Sequence, residues 1–241
     1  MTYCVGLLLN DGMVLLSDTR TNAGLDNIST YRKMFIFEDP GERVIAIMTA
    51  GSLSITQTTM ARLREAMDHP DDDFTDNIMK APTMLKVADI VGGMLGRVRE
   101  EIDEKLARME QAASASMIVA GQRKGGTMRM FLIYPEGNFI EATEDTPFLQ
   151  IGEHKYGKPI LDRVVNPATS LADAQKAVLL SMDSTLRSNL SVGMPLDMCV
   201  IARDGCRVNE KRRIEAGDES FRAMSDAWSA ALRDGFKTVK L

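Results

Sequence analysis

Apolar residues in this 241-residue chain follow two rhythms, and the switches between them mark out the elements. Tyr3 to Leu9 and Met13 to Ser17 are nearly continuous apolar runs, as expected of strands covered on both faces. Asn10-Asp11-Gly12 joins them, and Asp-Gly supplies the positive φ angles of a tight hairpin. The second run ends at Asp18, which places a carboxylate at the end of a buried strand. Thr21 to Arg32 is polar and reads as a loop or irregular crossing. Met34–Glu38 and Arg43–Thr49 form a second hairpin that turns at Pro40-Gly41. Past Ala50-Gly51-Ser52 the rhythm becomes helical, with Ile55, Met60, Leu63 and Met67 on one face.

A long helix follows Pro82-Thr83, carried by Val87, Val91, Val98, Ile102 and Leu106 at steps of three and four. Strand-like runs return at Met117–Gln122, Met128–Tyr134 and Asn138–Ala142, separated by Lys124-Gly125-Gly126 and Pro135-Glu136-Gly137. Beyond Phe148–Gly152 the pattern is helical again. Ser170-Leu171-Ala172-Asp173 has capping-box spacing and predicts a helix to about Asn189. Met198–Arg203, a turn at Asp204-Gly205 and Arg207–Ile214 make a last hairpin. Asp218–Arg233, with Trp228, reads as a terminal helix. This order predicts an α+β fold, a four-layer αββα sandwich of two antiparallel sheets between helix layers. Without a repeat or linker, residues 1–241 read as one domain, with 218–241 a C-terminal helical extension.

Charge narrows the function. A net charge of −5 leaves no cation excess to neutralise phosphates, which argues against a nucleic-acid or anionic-membrane binder. No apolar run approaches the ~20 residues that cross a bilayer, and no secretory signal is visible, so a cytoplasmic location is expected. Cys4, Cys199 and Cys206 lack metal-ligand spacing and read as small buried residues. His69 beside Asp71-Asp72-Asp73 reads as a solvated loop, so no metal is expected. No cofactor is expected either, and without a P-loop any ATP dependence would come from a separate partner.

The chemistry starts from what the chain lacks. It has two histidines, His69 and His154, and no G-x-S-x-G elbow to pair either with a serine. A different route is open at the start of the chain. If Met1 is removed, Thr2 carries both a hydroxyl and a free α-amine, whose ordinary pKa of about 7.7–8 suits a base at neutral pH. A threonine acting with its own terminal amine is one form of the nucleophile–base pair. A lysine beside the hydroxyl would favour the alkoxide-like state, and an aspartate would hold that lysine charged and oriented. Asp18 and Lys33 are available for these two tasks.

Met-Thr-Tyr-Cys-Val-Gly, Ser-Asp-Thr-Arg-Thr-Asn-Ala-Gly and Tyr-Arg-Lys-Met together resemble the proteasome-type β-subunit family of N-terminal nucleophile hydrolases. The resemblance is greatest to the bacterial ancestral β-subunits (Anbu), relatives of the HslV-type protease. It is strong over residues 1–60 and continuous in element order beyond. It implies a threonine-type peptidase with Thr2 as nucleophile, its amine as base, and Asp18 and Lys33 as the supporting pair. It also implies that the Gly51 N–H faces the oxyanion and that the Thr21 backbone pairs with an extended peptide. Ser191, in Ser188-Asn189-Leu190-Ser191-Val192-Gly193, resembles the serine of a segment near the nucleophile. Two positions depart from the family pattern: Ser188 or Asn189 where Asp is usual, and Glu153 where Ser is usual. The implied partners are a peptide or protein substrate and further copies of the chain in a ring or open ring. Two other readings remain open: an amidohydrolase acting on a small or modified peptide amide, and a non-catalytic assembly subunit.

Overall fold

Strands that are apolar on both faces need cover on both sides, and the fold supplies it in three apolar layers. The computed structural model describes residues 2–22, 28–68, 76–106 and 113–240. One five-stranded antiparallel sheet is ordered β10-β1-β2-β11-β12, from Phe148–Gly152, Tyr3–Leu9, Gly12–Asp18, Leu196–Ala202 and Glu210–Ile214. The other is the meander β5-β6-β7-β8-β9, from Met34–Asp39, Arg43–Gly51, Ala115–Arg123, Arg129–Ile133 and Phe139–Glu141. Helices α1 (Leu53–Asp68) and α2 (Met84–Leu106) cover the second sheet. Helices α3 (Lys158–Val164), α4 (Leu171–Ser188) and α5 (Glu219–Thr238) lie on the side of the first.

The period-two alternation of a strand sorts each side chain into its layer. Along β1, Tyr3, Val5, Leu7 and Leu9 face α3 and α4, whereas Cys4 faces the opposite sheet. Along β6, Ile45 and Ile47 face α1 and α2, while Val44, Ala46, Met48 and Ala50 face inward. The middle layer also takes Met13, Leu15, Ile118, Met130 and Cys199. The result is the αββα sandwich that the element order predicts.

Several details differ from expectation. Within the polar stretch two short strands pair antiparallel, β3 (Arg20–Asn22) and β4 (Ile28–Thr30), too short for alternation to register. The last hairpin has a longer connection than Asp-Gly alone; Asp204 and Cys206 in it both adopt positive φ, and Cys206 is buried outside any strand. Helix α5 runs on to Thr238, and its residues from 230 onward are exposed. Ser170 does cap α4, accepting from the Asp173 amide at 3.1 Å. His69 and the acidic run beside it lie outside the described residues.

Candidate active site

The site forms where the two sheets meet at one end. Thr2 immediately precedes β1, and its backbone is anchored by close approach to the end of β10. Its carbonyl accepts from the Glu153 amide at 2.7 Å. Gly152 makes this approach feasible: φ is +80° there, and a Cβ would lie 1.9 Å from the Thr2 carbonyl oxygen. The next amide, Tyr3 N–H, donates to Asp18 Oδ1 at 3.1 Å. Deeper in, the Tyr3 hydroxyl shares a 2.6 Å hydrogen bond with Ser181 and accepts from Gln150 Nε2. Burial pushes the Tyr3 phenol up to about 12, so it stays protonated.

Asp18, at the end of β2, is fully buried. Its Oδ1 accepts from Lys33 Nζ at 2.7 Å, and its Oδ2 from the Gly193 amide at 3.2 Å. Desolvation raises the carboxyl above its ordinary value, and the Lys33 ammonium and the two amides oppose that rise. Lys33, 5% exposed, also donates to the Arg20 carbonyl at 2.6 Å. Its own carbonyl accepts from Thr49 N–H at 2.9 Å, which ties the lysine to β6 just before β5 begins. An ammonium held by a buried carboxylate and a carbonyl has a fixed position, whereas an exposed lysine would sample many.

Thr2 and Lys33 open into one cavity of ≈ 290 Å³, lined also by Thr21, Arg32, Thr49, Gly51, Ser52 and Thr56. Gly51 ends β6 with φ +101°, and any Cβ there would lie 2.3 Å from the Ser114 carbonyl oxygen. Only glycine suits this junction between strand and α1.

Of the six residues singled out from the sequence, Thr2, Lys33, Gly51 and Thr21 line the cavity, and Asp18 lies behind Lys33. Ser191 is not among the lining residues; its amide donates to the Asn189 side chain at 2.9 Å in the loop after α4. The atom of that loop that touches the Asp18–Lys33 pair is the Gly193 amide. Asn189 is buried and organises the loop, while Ser188 is exposed at the end of α4. Glu153 meets Thr2 through its backbone, which any residue but proline would supply. Arg32, Thr49, Ser52 and Thr56 line the cavity too, although the sequence assigns them no role in the chemistry. The signal for Arg32 is its place beside Lys33 in the Tyr-Arg-Lys-Met segment.

Two antiparallel sheets between helix layers, with a threonine one residue into the chain facing a buried Asp–Lys pair, define the proteasome-type N-terminal nucleophile hydrolase fold. The chain belongs to the proteasome subunit family, whose pattern matches residues 2–201. It is 24% identical over 207 residues to proteasome subunit beta 2 of Pyrobaculum calidifontis, covering 86% of this chain and 91% of that protein. Among solved structures, an Anbu (Gly-1) mutant from Hyphomicrobium sp. strain MC1 superimposes with a TM-score of 0.93 at 48% identity, over 100% of this chain and 99% of that one. The Anbu ancestral beta-subunit from Yersinia bercovieri gives 0.89 at 40% identity, over 99% and 98% of the two chains. A chain described as a helical assembly of the Anbu complex from Pseudomonas aeruginosa gives 0.91 at 43% identity, over 99% and 97%.

Proposed function

We propose that the protein is a threonine-type peptidase whose nucleophile is Thr2, freed by removal of Met1. The observation that carries this reading is the buried Asp18–Lys33 pair, whose lysine lies in the wall of the cavity that Thr2 also lines. With the amine free, it takes the proton from Oγ1 as the oxygen attacks the substrate carbonyl carbon. The Lys33 ammonium favours the developing negative charge at Oγ1 and keeps the neighbouring amine in its neutral, basic form. The carbonyl oxygen becomes an oxyanion and accepts from the Gly51 N–H. Collapse breaks the C–N bond, and the leaving amine takes the proton held by the Thr2 amine. An ester on Thr2 remains. Water then adds with the same amine as base, releases the acid and restores the hydroxyl.

Substrate positioning follows from β3. Among the described residues this strand pairs only with β4, so the second edge at Thr21 is open to an extended peptide through backbone hydrogen bonds. We also read the chain as a self-assembling subunit, in keeping with the Pseudomonas relative described as a helical assembly. The test is intact mass of the protein purified from its own cells, together with adduct formation by a peptidyl epoxyketone. Loss of Met1 and an adduct abolished by Thr2→Ala are expected. Retained Met1 with no adduct would overturn the reading in favour of a non-catalytic subunit.

A further inference from the structure

The cavity beside Thr2 is unevenly charged. Its lining contributes two cations, Arg32 and Lys33, several hydroxyls and no carboxylate. The Lys33 charge is matched by the buried Asp18 at 2.7 Å behind it, so its pull on an anion falls off quickly away from Thr2. Arg32 differs: it is exposed at the opening and makes no ion pair among the described residues. The hydroxyls of Thr21 and Thr49 add neutral donors to the same wall. Helix α1 starts at Leu53, also in the lining, and has no acidic residue in its first turn, so its dipole is uncompensated there.

A carbonyl carbon bonded to Thr2 Oγ1 carries its own side chain one atom further on, next to the cavity that Thr2 lines. We infer that the cavity selects an acidic residue, aspartate or glutamate, on the acyl side of the attacked bond, with Arg32 as the specificity-determining group. This rests on the peptidase reading. A guanidinium stays charged at every working pH and can grip a carboxylate with two parallel hydrogen bonds. A lysine in the same place meets a like charge. A leucine leaves the hydroxyls without partners and takes nothing from Arg32.

Binding is measured separately from catalysis. In the Thr2→Ala variant, fluorescein-labelled tetrapeptide amides that end in Glu, Leu or Lys are titrated by anisotropy. The Glu peptide is expected to bind about two- to fivefold tighter than the Leu peptide, the scale of one exposed charge pair, with Lys weakest. Arg32→Ala should level the Glu and Leu affinities, and Arg32→Glu should invert the order of Glu and Lys. Equal affinities, no binding of the Glu peptide, or an order unchanged in Arg32→Glu would overturn the inference. Epoxyketone labelling of the processed wild-type chain reads the other question. Adducts without an acid preference in binding leave the peptidase reading standing and remove the inference; an acid preference with no adduct overturns the peptidase reading and, with it, the placing of the selected residue on the acyl side of an attacked bond.

Discussion

The two sheets have the same number of strands and pack face to face, yet they are assembled in opposite ways. The β5–β9 sheet is a meander in which each strand lies beside its neighbour in sequence. The β10-β1-β2-β11-β12 sheet gathers strands from the beginning, middle and end of the chain. Local pairings close cheaply in entropy, while long-range ones must wait for the loops between them. The site takes one half from each: Thr2 precedes and Asp18 ends a strand of the composite sheet, and Lys33 precedes and Gly51 ends a strand of the meander. An ion pair across 15 positions therefore reports that the two sheets have docked.

The strongest way to break this link is Lys33→Ala. It strands the Asp18 carboxylate in a buried site, which should cost about 3–5 kcal/mol in denaturant unfolding. Under the proposed chemistry it also lowers turnover by roughly 10²–10⁴-fold, the scale of removing one proton-handling or electrostatic group. Asp18→Asn separates the two effects, because it keeps most of the shape while loosening the hold on Lys33; a larger loss in kcat than in stability is expected. Gly152→Ala acts on the composite sheet alone. A Cβ 1.9 Å from the Thr2 carbonyl at positive φ must push β10 away, with an expected loss of about 1–3 kcal/mol and lost protection of the Glu153 amide in hydrogen exchange. Tyr3→Phe is milder. It removes the hydroxyl shared with Ser181 and Gln150, for a loss of about 1–2 kcal/mol with the meander unaffected.

The smallest effect is a silence. Cys4 and Cys199 lie in the layer between the sheets, and burial pushes the Cys4 thiol far up and that of Cys199 to about 12. A raised thiol pKa means the reactive thiolate is absent at pH 8. Neither residue should react with a disulfide reagent in the native protein, and both should react in guanidinium. Rapid native labelling would mean that the two sheets part more readily than their packing implies.

What could be read in advance follows the same division. Buried strands and long helices declared themselves because apolar periodicity extends over many residues in them. The β3–β4 pair did not, since three-residue strands carry too little pattern. Thr2, Asp18 and Lys33 stood out by side-chain chemistry. The groups that hold them, the amides of Tyr3, Gly193 and Glu153, are backbone atoms with no residue-type signature. Ser191 stands out only through the family resemblance, and the atom of its loop in contact with Asp18 is the amide of Gly193, two positions on. Arg32 carries no signal of its own, because the cavity it lines takes its other walls from distant β6 and α1.

The anchoring of Thr2 has a consequence for timing. The two backbone contacts that hold it, through its carbonyl and through the amide of Tyr3, lie on the C-terminal side of the Met1–Thr2 bond. Cutting that bond leaves both in place. The proposed activation therefore works like a safety catch released by one covalent event, with the barrel already aligned. Maturation would change the chemistry at one nitrogen while the surrounding frame stays as folded, and control over the proposed activity would pass to whichever aminopeptidase or self-cleavage removes a single residue.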